Sequence, residues 1–211
     1  MKRAPRPSTL KSLASAGVVL LCCAEMASAH AWSLTVNAAS RRVYLHVGNG
    51  TFEGNNGTVN LVQVAVPFNL VGNGAAQAMT SNSTQNISLQ GDGYNTCPTP
   101  ASQVMIGASY RRSNGNNGPA SATLSVTSPA NLVNAAGDTI PFSQIRWTVS
   151  APGSDVPNVI PAGAFNGGTQ TLATVPANRH IENCHTYNYA NSAVVAAGTY
   201  NGRVTYTLSS P

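Results

Sequence analysis

The residues of this 211-residue chain best equipped for chemistry are its four histidines and four cysteines. His30, His46, His180 and His185 supply imidazole nitrogens, and imidazole together with a free amine suits Cu(II). If the chain is cut after Ala29, His30 becomes an amino terminus that can chelate copper through its amine and its ring. His46, His180 and His185 are then the candidate partners, with Tyr187 or Tyr189 as an axial group. A cut after Ala31 removes His30 and that site with it. His180 and His185 also flank Cys184, which offers a His, Cys and His metal set, unless the thiol is already used in a disulfide.

These readings depend on export. Residues 1–11 carry Lys2, Arg3, Arg6 and Lys11 with no acid, residues 13–24 are apolar, and Ala27-Ser28-Ala29 follows as a small-x-small site. This tripartite pattern is that of a secretory signal peptide over residues 1–29, with residues 30–211 as the exported domain. Cys22 and Cys23 follow Leu20-Leu21, without the small residue that a lipid-anchor site needs. The destination is the periplasm, the cell surface or the extracellular space. Cys97 and Cys184 are the cysteines left after cleavage, and an even pair in an oxidising compartment is most simply one disulfide.

Charge excludes some partners. Residues 30–211 hold seven arginines, five acids and no lysine, a net +2. Nucleic-acid binding requires a dense basic face, and the pairs Arg41-Arg42 and Arg111-Arg112 do not make one. After the leader there is no apolar run long enough for a membrane helix. The five acids, Glu53, Asp92, Asp138, Asp155 and Glu182, are scattered, which argues against a carboxylate pair for glycoside hydrolysis. No G-x-S-x-G, H-E-x-x-H or P-loop pattern occurs, so the expectation is a protein without catalytic activity or cofactor, with copper as the alternative. Trp32, Trp147, Tyr44, Tyr187 and Tyr189 could instead form a glycan platform through their ring faces, although they suit a core or sheet edge equally well. The sequons at Asn49, Asn56, Asn82 and Asn86 matter only on a eukaryotic secretory route.

The elements that would position these residues are strands. Alternation runs through Trp32, Leu34 and Val36, then Val43, Leu45 and Val47, then Val62, Val64 and Val66. Further strands are predicted over residues 84–89, 102–111, 121–127, around 145–149, and over 169–174. Residues 129–138 read as a loop with room for one helical turn. The closing stretch, 184–208, reads as two strands joined by the connector S-A-V-V-A-A. No segment keeps a 3.6-residue period, and Gly, Asn and Pro punctuate the chain at short intervals. The prediction is one all-β domain, an antiparallel Ig-like β-sandwich of nine or ten short strands.

Two resemblances follow. With His30 at the terminus of an exported β-domain, the chain is similar to histidine-brace copper proteins and lytic polysaccharide monooxygenases, which implies a copper-binding protein or oxidase. The ending G-T-Y-N-G-R-V-T-Y-T-L, with Gly198, Tyr200, Val204, Tyr206 and Leu208, resembles bacterial chaperone–usher pilus subunits, and among them the spore-coat-U-like branch. That resemblance implies an incomplete Ig-like fold and a role in a fimbrium or in cell adhesion. The missing strand would come first from a periplasmic chaperone and then from a neighbouring subunit's N-terminal extension. Binding would be β-strand addition, in which main-chain hydrogen bonds give affinity and alternate side chains fill pockets. Trp32, Leu34 and Val36 are the candidate donor residues, and Val204, Tyr206 and Leu208 the candidate receiving edge.

Overall fold

The computed structural model describes residues 41–48, 60–83, 97, 99–112, 118–151 and 159–210. The leader, His30, Trp32, Leu34, Val36 and the strand expected over 84–89 lie outside the described residues. Contacts group Ala38–Pro211 as one compact unit.

Thirteen strands occur among the described residues: β1 (Arg41–Val47), β2 (Val62–Gln63), β3 (Gln77–Ala78), β4 (Thr80–Ser81), β5 (Gln103–Arg112), β6 (Ser121–Thr127), β7 (Asn131–Val133), β8 (Thr139–Pro141), β9 (Ile145–Ser150), β10 (Gly163–Ala164), β11 (Thr169–Pro176), β12 (Arg179–Tyr189) and β13 (Thr205–Ser209). The count exceeds the nine or ten expected because four of them, β2, β3, β4 and β10, are two-residue pairings too short to leave a pattern in the sequence. Every pairing is antiparallel.

The larger sheet has the order β1-β5-β12-β9-β10, with β3 also joined to β12. A second sheet has the order β11-β6-β13. In β6 the alternation seen in the sequence becomes burial: Ala122, Leu124 and Val126 point inward and Ser121, Thr123 and Ser125 do not. These side chains share one core with Ile106, Ala108 and Tyr110 of β5, Trp147 of β9, and Ile181 and Tyr187 of β12. Two antiparallel sheets thus bury a common layer between them, as in a β-sandwich. A register shift at Thr171/Ala173 in β11 is a β-bulge. It lets the consecutive residues Leu172 and Ala173 both be buried, which strict alternation forbids.

The chain passes from the small sheet to the large one through two residues, Ala177 and Asn178. Asn178 has φ 61, a left-handed conformation that asparagine tolerates better than most residues. Its amide donates to Tyr110 O at 2.7 Å, and its Oδ1 accepts from the Arg112 amide at 3.1 Å. This corner fixes where β12 begins and therefore the register of everything along it.

Several segments differ from expectation. The strand expected through Val62, Val64 and Val66 is one only at Val62–Gln63, and the strand expected from Cys184 begins at Arg179. Residues 129–138 hold β7 and the turn of the β7–β8 hairpin rather than a helical turn. The Asn134 side chain accepts from the amides of Ala136 and Asp138 and donates to Asp138 Oδ2, while Gly137 takes φ 89. The asparagine replaces the missing main-chain partners of the turn. The last strand begins at Thr205, not near Gly198. The intervening residues lie close against the β7–β8 hairpin, where Asn201 and Val133 exchange two main-chain hydrogen bonds.

Candidate functional site

Two places on this frame bring functional side chains together: the seam between β1 and β13, and the outer face of β5 and β12.

Among the described residues β13 pairs only with β6, and β1 only with β5. These two edge strands lie against one another where the two sheets meet. Alternation turns Val204, Tyr206 and Leu208 inward, as expected, but all three stay half-buried. On the other side Val43 is 42% exposed, and Leu45 and Val47 are half-buried. The central strand β6, by contrast, buries its apolar residues completely: Leu124 is 0% exposed. The core therefore runs out into an apolar seam bordered by a strand edge.

Tyr206 anchors that edge. Its hydroxyl reaches inside to the Tyr187 hydroxyl at 2.8 Å. Burial pushes the Tyr206 phenol up to about 12, tempered by its bond to Tyr187, and holds Tyr187 well above the ordinary tyrosine value. Neither ring ionises at neutral pH, so the pair acts as a neutral hydrogen-bonded link between the sheets.

The histidines separate by face. Pairing places Tyr44, Ser109 and His180 in one row across β1, β5 and β12, and His46, Gly107 and Glu182 in the next. Side chains in a row share a face, here the one turned away from the core. His185 falls on the opposite, core-facing side, between Trp147 and Tyr187 with ring centroids 6.1 Å from each. Burial drives its pKa down from 6.5 to about 3, so it sits there as a neutral ring. His46 and His180 are thus divided from His185 by the sheet itself. Among the described residues no three or more His, Cys, Asp or Glu are placed so as to hold a metal ion together. His30 lies outside them.

Cys97 and Cys184 form a disulfide with Cα atoms 5.7 Å apart. It lies on the outer face with Met105, and all three residues are at most 2% exposed. Cys184 is therefore a structural anchor and not a metal ligand between its flanking histidines. Trp147, Tyr187 and Tyr189 are 4–6% exposed, while Tyr44 lies on the other face of the sheet. These rings build the core and present no common platform to solvent.

The outer face holds an arrangement that sequence reasoning missed. His180 contacts Ser109 Oγ through Nδ1 at 2.7 Å and Glu182 Oε2 through Nε2 at 2.9 Å. Glu182 is 1% exposed, whereas the His180 side chain is 26% exposed. The signal for half of this set was present: H-x-E on a strand puts both side chains on one face. Ser109 lies 71 positions from His180, and only the β5–β12 register joins them. Gly107 leaves room beside the arrangement. A Cβ there would stand 3.3 Å from the His180 ring and 3.4 Å from Glu182 Oε2.

Two buried asparagines were also missed. Asn183 Oδ1 accepts from the amides of Val159 and Ile160. Asn191, fully buried, ties residues 70–75 to the end of β12 through bonds to Leu70 O, Gly72 N and Asn73 Oδ1.

Comparison of the chain with protein-family models, with curated proteins and with solved structures finds no match.

Proposed function

We propose that this chain is an exported structural or adhesive subunit of a bacterial surface assembly, and that it joins its neighbours by β-strand addition at the β1–β13 seam. The observation that carries this reading is the state of β13. Among the described residues it has one hydrogen-bonded neighbour, its inward residues Tyr206 and Leu208 remain half-buried, and Val43 on the adjacent β1 is exposed. An edge of this kind offers unpaired main-chain groups beside half-buried apolar side chains, and soluble proteins ordinarily blunt such edges with charge, proline or a covering segment. Arg203 precedes β13, but no charged residue or proline occurs within Thr205–Ser209.

The occupant is an extended segment with apolar residues at every second position. Residues 30–37 of a second copy have this pattern, with Trp32, Leu34 and Val36 at the spacing that β13 itself uses. A periplasmic chaperone would hold the seam before assembly. The leader over residues 1–29 supplies the route out of the cytoplasm, and the disulfide suits the oxidising side of that route.

The test is the behaviour of the exported chain alone. The expected result is concentration-dependent association, or low stability that rises when a peptide of residues 30–37 is added. A chain that remains monomeric at high concentration, unfolds in two states and gains nothing from the peptide contradicts the proposal.

A further inference from the structure

We propose that Ser109, His180 and Glu182 form a serine-nucleophile centre on the outer face of the large sheet, one that takes an acyl ester carrying negative charge. This goes beyond the assembly role and uses the opposite face of the same sheet.

A carboxylate oxygen accepts hydrogen bonds, so His180 Nε2 is the donor to Glu182 Oε2 at 2.9 Å. In the neutral ring Nδ1 is then an acceptor, and the Ser109 hydroxyl at 2.7 Å donates to it. The nucleophile, the base and the group that orients the base are linked in one chain at hydrogen-bond distances, which is the geometry by which such sites are recognised. The ring nitrogens exchange their usual partners, but either nitrogen can act as the base once the other is held by the acid.

Burial is graded in the sense this chemistry needs. Glu182 is 1% exposed and its other oxygen, Oε1, has no hydrogen-bond partner among the described residues. The hydrogen bonding that Glu182 makes among the described residues is thus with His180. Ser109 is half-buried and opens with His180 into a groove of about 430 Å³ that Tyr44, Arg111 and Arg179 also line. Arg111 lies two positions beyond Ser109 on β5 and so on the same face. The two guanidinium groups favour a negatively charged substrate and the oxyanion that develops on it.

The reaction balances without a cofactor. Ser109 Oγ bonds to the ester carbonyl carbon and its proton passes to His180 Nδ1. The carbon–oxygen bond to the leaving alcohol breaks, and His180 returns the proton to that oxygen. Water then attacks the Ser109 ester, giving a proton to His180, and the acid leaves as Oγ regains a proton from the ring. Glu182 holds the ring through Nε2 throughout and acts as a positioning residue.

The whole chain is treated with a fluorophosphonate probe, which forms an oxygen–phosphorus bond and expels fluoride, and the labelled peptide is mapped. Label is expected on Ser109, absent from Ser109→Ala and slowed at least about 100-fold in His180→Gln. Turnover of the mono-4-nitrophenyl ester of succinic acid is expected to exceed that of 4-nitrophenyl acetate, and Glu182→Gln is expected to lower kcat with little change in KM. Absence of label on Ser109 in the folded wild-type chain overturns the proposal, as does equal labelling of His180→Gln. Equal turnover of the two esters overturns the assignment of an anionic substrate.

Discussion

Removing the Cys97–Cys184 disulfide is expected to reveal how much of the fold's stability lies in its covalent closure. The two cysteines are 87 positions apart, so the bridge closes a loop that includes β5 to β11 and most of the large sheet. In the chain-entropy model a loop of this length removes about 4.6 kcal/mol of conformational freedom from the unfolded state. For a domain of this size that corresponds to roughly 10–18 °C in Tm. The native side adds a smaller contribution. Cys184 lies at the middle of β12, opposite Met105 on one side and Ser150 on the other, and is 0% exposed. Cys97→Ala with Cys184→Ala therefore leaves a small cavity beside Met105 and costs about 1 kcal/mol more. The assay is urea unfolding of the oxidised wild type, the reduced wild type and the double variant. The expected order of stability is oxidised, then reduced, then double variant, with a larger m in the two open forms because their unfolded chains expand further. A loss below about 1 kcal/mol on reduction would refute the reasoning. It would mean that the sheet alone constrains this part of the chain.

Other outcomes follow from named residues. His185 has a folded pKa near 3 against 6.5 for the free side chain, so between these values the unfolded state binds more protons. Stability is full above about pH 6.5 and falls with acidification by up to about 1.4 kcal/mol per pH unit. His185→Phe, which keeps a ring beside Trp147 and Tyr187, is expected to remove that part of the acid limb in denaturation curves taken at several pH values. Asn191→Ala strands the amide of Gly72 and removes the side-chain donor to Leu70 O and Asn73 Oδ1, and is expected to cost about 2–3 kcal/mol in urea unfolding. In Gly202→Ala the new Cβ would stand 2.5 Å from the Phe142 ring and 2.7 Å from Leu132, and overpacking is expected to cost about 1–3 kcal/mol by the same assay.

The fold class was legible because most strands bury one face only. Ser121–Thr127 alternates in sequence and in burial alike, and so do Val204, Tyr206 and Leu208. β12 was the hardest strand to read. Its sequence, R-H-I-E-N-C-H-T-Y-N-Y, is polar at most positions, and the expected strand began only at Cys184. The structure explains this: β12 is central to the larger sheet and buried on both faces, with Glu182, Asn183 and His185 each at most 1% exposed. A strand with two buried faces needs no alternation, and its polar residues find only part of their hydrogen bonding: Asn183 has partners more than twenty positions away, whereas Glu182 Oε1 and both ring nitrogens of His185 have none among the described residues. Asn183 holds a loop, His185 completes an aromatic stack, and Glu182 holds His180. The disulfide was legible from cysteine parity and export logic. The division of the histidines between two faces was not, since His46 and His180 become neighbours in adjacent rows only through the register of β1, β5 and β12. The β7–β8 hairpin was missed because its turn depends on the Asn134 side chain rather than on an Asn-Gly pair.

The most direct test of the central claim asks what fills the seam beside β13. A photo-crosslinking residue replaces Leu34, and that chain is mixed with an isotopically labelled copy lacking the crosslinker before irradiation and peptide mapping. Strand addition is expected to give crosslinks from position 34 of one copy to residues 204–208 or 43–47 of the other. Crosslinks confined to a single copy would show that the chain completes its own sheet, and the absence of any crosslink to either strand would show that residues 30–37 do not occupy the seam. Either result contradicts assembly through this segment.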